Sequence, residues 1–158
     1  MGVFKLPKMN KQEMWKLIRR QRLCRIAFKG DTYPYMAPFQ YVVIDGSLYF
    51  HFTDYGKKMK LIENDKHVCV EIEEYREDLS EYSFVVFHGT LKVVSDPTER
   101  ANAINQLRTE GEQKLSPNFL PAHGFTKEDG WESLTAENKS LVAVKLENIT
   151  QEIGLKSP

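Results

Sequence analysis

The segment His51-Phe52-Thr53-Asp54-Tyr55-Gly56-Lys57-Lys58-Met59-Lys60 carries the most informative chemistry of the chain. A strand pattern ends there, a polar loop passes through a glycine, and a helix opens on lysines. Cations in a first helical turn oppose the macrodipole, which disfavours them by about 0.3–1 kcal/mol each. They make sense where an anion lies between them and the free backbone N–H groups, as phosphate does at helix N-termini. The alternative is that these lysines are merely exposed on a frayed turn. The G-x-x-x-x-G-K-[ST] pattern of a P-loop is absent. Upstream lie Tyr35, Phe39, Tyr41, Tyr49, Phe50, His51 and Thr53, aromatic and hydroxyl residues that could wall a cleft for a flat, phosphorylated heterocycle. Equally, alternating aromatics can simply build a barrel core.

Self-sufficient catalytic constellations are missing. The sequence has no H-E-x-x-H, G-x-S-x-G or G-x-G-x-x-G. His67 and Cys69 share one strand face, but two ligands make a poor metal site, and His51, His88 and His123 are dispersed. If the protein is an enzyme, a redox cofactor must bring the reactivity.

The elements that must position these residues begin with a helix. Asn10 and Glu13 form a variant capping box, and Met9 with Met14 has the spacing of a hydrophobic staple. Period-two patterning then predicts strands over Leu23–Lys29, Tyr35–Ile44 (broken at Pro38, which belongs at an edge or bulge), Ser47–Phe52, Lys66–Glu74, Ser83–Val94 and Ser140–Leu146. Asp45-Gly46 is a two-residue hairpin signal, and Gly89 marks a bulge or a close backbone approach. A short helix follows Gly56, and Asp96-Pro97-Thr98-Glu99 opens another that Gly111 can close. Residues 112–139 lack clean periodicity. Six strands with short hairpins and three helices point to a small antiparallel barrel or sandwich.

Composition bounds the function. The chain has 158 residues, with 22 Lys+Arg against 22 Asp+Glu. That balance argues against broad nucleic-acid binding. The 41% hydrophobic and 28% charged content is that of an ordinary globular chain. No apolar run approaches the roughly 20 residues that span a bilayer, and the first fifteen residues lack an apolar signal core. With two cysteines and no C-x-x-C, the expectation is a soluble, cytoplasmic protein without membrane or nucleic-acid partners.

Several pieces, in order and spacing, resemble the pyridoxamine 5′-phosphate oxidase-like flavoproteins of the FMN-binding split-barrel fold, especially the subgroup containing nitroimidazole-resistance proteins. They are Arg25 within Cys24-Arg25-Ile26-Ala27; Tyr33-Pro34-Tyr35 with Pro38; Leu48-Tyr49-Phe50-His51 followed by Gly56-Lys57-Lys58; and Tyr82-Ser83-Phe84-Val85-Val86 leading to Gly89. The resemblance runs from about Asn10 to Asp96, with a weaker echo near Val142–Lys156.

It implies a mainly β fold, a six-stranded antiparallel Greek-key split β-barrel with about three peripheral helices. One domain would span 1–158: a helical lead-in (1–22), the barrel body and a helix (23–111), and an irregular segment with the last strand (112–158). It further implies an FMN cofactor in a groove between two protomers of a homodimer. Lys57 and Lys58 would bind the phosphate, with Thr53 nearby. Ala37, Pro38, Phe39, Gln40 and Tyr41 would line the isoalloxazine edge, largely through backbone groups, and Arg25 fits the first-strand pattern. His51 and Phe52 would flank the ring and ribityl chain, Ser83 and Phe84 would approach from the other subunit, and Trp131 would cover the ring from the partner.

Two departures matter. True pyridoxamine-phosphate oxidases carry a Trp followed by an Arg-x-His, whereas Trp131 is followed by Glu132-Ser133-Leu134-Thr135-Ala136-Glu137-Asn138, so vitamin B6 oxidation is not expected. The subgroup's terminal Gly-Lys is altered to Gly154-Leu155-Lys156. The expected activity is electron transfer from reduced FMN to a small planar acceptor. The alternatives are a non-catalytic flavin carrier or sensor, the same fold binding haem or a deazaflavin, and a barrel-shaped interaction domain.

Overall fold

Alternating apolar residues and tight turns build one antiparallel sheet of seven strands: β1 (Leu23–Phe28), β2 (Tyr35–Gln40), β3 (Val42–Ile44), β4 (Ser47–Thr53), β5 (His67–Tyr75), β6 (Tyr82–Val93) and β7 (Leu141–Lys156). The computed structural model describes residues 2–158; Met1, the first residue of the expected lead-in, lies outside them. The strand order is β2-β1-β5-β6-β7-β4-β3. The two edge strands, β2 and β3, are joined by Tyr41 alone, so the sheet curls into a split barrel.

That junction corrects the expected six strands to seven. The stretch 35–44 breaks at Tyr41, not at Pro38. Pro38 stays within β2, opposite Arg25, where an edge strand tolerates a missing N–H. Tyr41 turns the corner because its N–H donates to the Arg22 carbonyl (3.4 Å) and its hydroxyl to the Ile18 carbonyl. The Asp45-Gly46 turn has positive φ at both residues, 50° and 76°, as a type I′ hairpin requires.

The bulge expected at Gly89 is present, with the β6–β7 register slipping between His88 and Thr90. The last strand is longer than expected, running past Leu146 to Lys156. Its register is fixed by Gly154 lying opposite Val85.

Three α-helices flank the sheet. α1 (Lys11–Arg20) has the capping box in both directions: Asn10 Oδ1 accepts from Glu13 N at 2.8 Å and Glu13 Oε1 from Asn10 N at 3.2 Å. It lays Met14, Leu17 and Ile18 into the barrel core beside Ile26, Phe28, Phe50, Phe52 and Phe87. Met9 and Met14 close over Gly154, where a Cβ would meet Met14 Cγ at 2.6 Å. Each such fully buried apolar side chain stabilises the fold by about 1.5–3 kcal/mol. α2 (Lys57–Asn64) sends Ile62 into the same core.

α3 (Pro97–Lys114), capped by Asp96, covers the other face of β3, β4 and β7 through Ala103, Ile104 and Leu107. Strand β4 is therefore buried on both faces. Gly111 does not close α3, which continues to Lys114. Its missing side chain instead admits Trp131, whose ring would lie 2.3 Å from a Cβ there. The irregular stretch after α3 forms three 3-10 turns, Pro117–His123, Lys127–Asp129 and Trp131–Ser133.

Gly to Ala inside a helix ordinarily stabilises by roughly 0.5–1 kcal/mol. Here Gly111→Ala is expected to destabilise by about 1–3 kcal/mol through overpacking on Trp131, read as a lowered urea midpoint. A raised midpoint would contradict the packing.

Candidate functional site

The residues Thr53–Gly56 lead from β4 into α2. Gly56 is the N-cap, has extended backbone, and makes no side-chain cap hydrogen bond; no acidic residue lies in the first turn. The Lys57 ammonium sits 4.8 Å over the Tyr35 ring and that of Lys58 5.1 Å over the Phe39 ring. Among the described residues neither lysine forms an ion pair. Two ammonium groups, resting on aromatic faces beside uncapped N–H groups, are an arrangement that an anion completes. Cation–π contact contributes roughly 0.5–1 kcal/mol at such exposed sites and leaves the charge uncompensated.

Of the residues expected in the site, the structure brings Phe39, Thr53, Lys57 and Lys58 together at this corner, with Ala37 packed alongside the core below it. Pro38 is exposed on the outer side of β2. Phe52 points into the barrel, 5.3 Å from the Phe39 ring. Tyr41 is the buried corner residue. Arg25 lies on the outer face of the sheet, ion-paired with Glu71 and Glu73.

Ser83 and Phe84 are half-buried at the start of β6, opposite Glu74 and Glu73. Glu74 lies six residues along β5 from Val68, the level of Phe28 and Tyr35. Six residues of strand span about 20 Å, so within one chain they are not at the corner. Trp131, expected to cover a partner's ring, is 5% exposed and packed on Gly111 in its own chain.

His51 and Gln40 belong to a buried network that the sequence did not disclose. Leu107 offers only a carbonyl, so Gln40 Nε2 must donate to it (3.0 Å) and Gln40 Oε1 must accept from His123 Nε2 (2.8 Å). His123 Nδ1 is then an acceptor, and His51 Nδ1, 2.9 Å away, donates to it. One backbone carbonyl thus sets both tautomers. It leaves His51 Nε2 a buried acceptor without a partner among the described residues. The relay ties β2 to β4, α3 and the 117–123 turn, across separations of 72 and 83 residues that no local motif signals.

Burial first, then His123 and then Lys58, lower the His51 pKa to about 3; burial and then Lys58 lower that of His123 to about 4. Both folded values lie below the unfolded one, so the unfolded state binds more protons. Stability is expected to be flat above pH about 6.5 and to fall as pH drops towards 4, by up to about 1.4 kcal/mol per pH unit per histidine. Urea unfolding between pH 7.5 and 4.5 reads this. Replacing both residues (His51→Leu with His123→Leu) should remove much of the slope, and an unchanged slope would contradict the burial argument.

Comparison with known proteins places this geometry in context. No curated relative matches the chain. Among solved structures, an FAD-binding protein from Mesorhizobium loti is 21% identical with a TM-score of 0.69, covering 98% of this chain and 100% of that one. A candidate 5-nitroimidazole antibiotic resistance protein from Bacteroides thetaiotaomicron is 14% identical with a TM-score of 0.66, covering 99% and 94%. A haem storage protein from Vibrio cholerae is 12% identical with a TM-score of 0.65, covering 92% and 94%. At these identities the likeness establishes the split-barrel fold. Residues 10–150, nearly the whole sheet and all its flanking helices, match the family model described as pyridoxamine 5′-phosphate oxidase, and the chain belongs to that family.

Proposed function

We propose that the chain binds flavin mononucleotide and passes electrons from the reduced cofactor to a small planar acceptor, working as a homodimer with the flavin between protomers. The observation that carries this reading is the two ammonium groups, Lys57 and Lys58, which form no ion pair among the described residues and stand at the uncapped start of α2. A terminal phosphate fits there, since it accepts from both lysines and from the first-turn N–H groups at once. The described resemblance to an FAD-binding protein favours a flavin over other phosphorylated heterocycles.

Bound flavin would supply the electron chemistry that the side chains lack. The residues of this chain hold and orient it. Among the described residues strand β2 pairs only with β1, so its free edge offers backbone groups to the rim of a heterocycle, with Pro38 withholding one N–H. The Gln40–His123–His51 relay fixes the end of β2 against the turn that ends at His123. Gly124 follows it, and a Cβ there would lie 3.3 Å from the Thr53 methyl. The phosphate corner is therefore braced from behind by neutral imidazoles that add no competing charge. The half-buried Ser83 and Phe84, about 20 Å along the barrel from the corner, are free to serve a second protomer's flavin.

Reconstitution with FMN is expected to give a yellow protein with flavin absorbance bands. Lys57→Ala with Lys58→Ala should weaken FMN by about 100-fold or more while leaving riboflavin affinity unchanged, because charge-assisted bonds to phosphate contribute roughly 1.5–3 kcal/mol each. Isothermal titration of both ligands measures this. Equal losses for the two would remove phosphate from the lysines' role.

A further inference from the structure

The outer face of β1, β5 and β6 carries a groove of about 900 Å³ that the phosphate corner does not use. Its floor is set by strand register: Ala27 lies opposite Cys69, and Cys69 opposite His88. One wall comes from the β6 bulge. A Cβ at Gly89 would sit 2.8 Å from the Glu147 carbonyl oxygen, so a side chain there would push β7 away. Asn148 Nδ2 donates to Thr90 Oγ1 at 3.2 Å and pins that wall.

One end of the groove carries two ammonium groups, those of Lys29 and Lys66, beside the His67 ring. The neighbouring carboxylate, Asp65, accepts from the His67 backbone N–H at 3.0 Å and is engaged by His67 Nδ1 at 2.8 Å and by Lys29 Nζ at 3.0 Å, and these contacts, in that order, hold its pKa far below the usual range. Lys66 is exposed and forms no ion pair among the described residues. A mostly apolar groove with a floor of small side chains and one imidazole, within the roughly 300–1,000 Å³ of small-molecule sites, suits a flat ring. The uncompensated ammonium at its end suits an anionic substituent.

We propose that this groove binds a planar aromatic anion, its ring over Ala27, Cys69 and His88 and its charged group at Lys66. The groove starts at Phe28 and Pro34, next to Tyr35, whose ring carries Lys57, so it adjoins the phosphate corner without including it. Its use as the pocket for the electron acceptor rests on the flavin reading; its affinity for aromatic anions does not.

Cys69 is a built-in reporter. It is half-buried in the groove floor, whereas Cys24 is 2% exposed and burial raises its thiol pKa far above the ordinary value. The full chain, free of flavin, would be titrated with 1-anilinonaphthalene-8-sulfonate while the reaction of Cys69 with a thiol-specific disulfide reagent is timed. The expected result is a fluorescence rise at one site and slowing of the thiol reaction by about tenfold or more at saturation. Lys66→Glu should weaken the probe roughly tenfold by reversing the charge at its anionic end. Ala27→Trp, which fills the floor, should abolish binding. The Lys57→Ala, Lys58→Ala double variant should bind the probe as the unaltered protein does, even if it no longer binds FMN.

The proposal is overturned if the probe leaves the Cys69 rate unchanged or if Lys66→Glu binds it equally well. Displacement of the probe by FMN would make the groove part of the flavin site and would overturn it too. So would a Cys69 that reacts only on dilution, since a second copy of the chain would then cover the groove.

Discussion

The structure turns on an electrostatic imbalance at the start of α2. Two ammonium groups stand where a helix already presents the positive end of its dipole, and no side chain caps the turn. Folding alone gives no return for that arrangement. Tyr35 and Phe39 hold the lysines over the barrel mouth by cation–π contact, which orients the charges without neutralising them. A doubly charged terminal phosphate would relieve the imbalance, and the rest of the fold can be understood as bracing for it. Strand β2 carries the aromatic rings, β4 delivers the loop, and α2 is anchored by Ile62 in the core.

A second layer of the molecule packs behind that corner. β4 is covered on one face by the barrel core and on the other by α3 and the 3-10 turns. Within that outer layer a single carbonyl, that of Leu107, orders Gln40, His123 and His51 in one direction. Buried polar chains of this kind specify one arrangement of the groups they join, because a reversed amide or the wrong tautomer would leave unpaired atoms in a medium that penalises them. The bracing works only while both imidazoles are neutral, and their depressed pKa values keep them so at neutral pH.

Local signals in the sequence were legible and long-range ones were not. The Asn10–Glu13 capping box, the Asp45-Gly46 turn and the Gly89 bulge are each set by residues a few positions apart, and each stands as expected. The break at Tyr41 depends on Ile18 and Arg22, and the role of Gly111 depends on Trp131. Neither partner can be inferred from spacing. The last strand looked short because exposed Asn148–Gln151, with Asn148 at φ 50°, interrupts the alternation opposite the bulge. The lysine corner was visible because charge at a helix start is a local contradiction. His51 was visible as a residue, but its partner His123, 72 positions away, was not.

The most direct test of the central claim is the ³¹P resonance of FMN bound to the protein, followed from pH 5 to 8. Free phosphate monoesters take up a proton with a pKa near about 6, and their resonance moves accordingly. With the dianion clamped by Lys57, Lys58 and the first-turn N–H groups, the bound resonance is expected to stay fixed across that range. A bound phosphate that titrates as the free one does would mean that the charge lies in solvent, and the account of the α2 corner would fail.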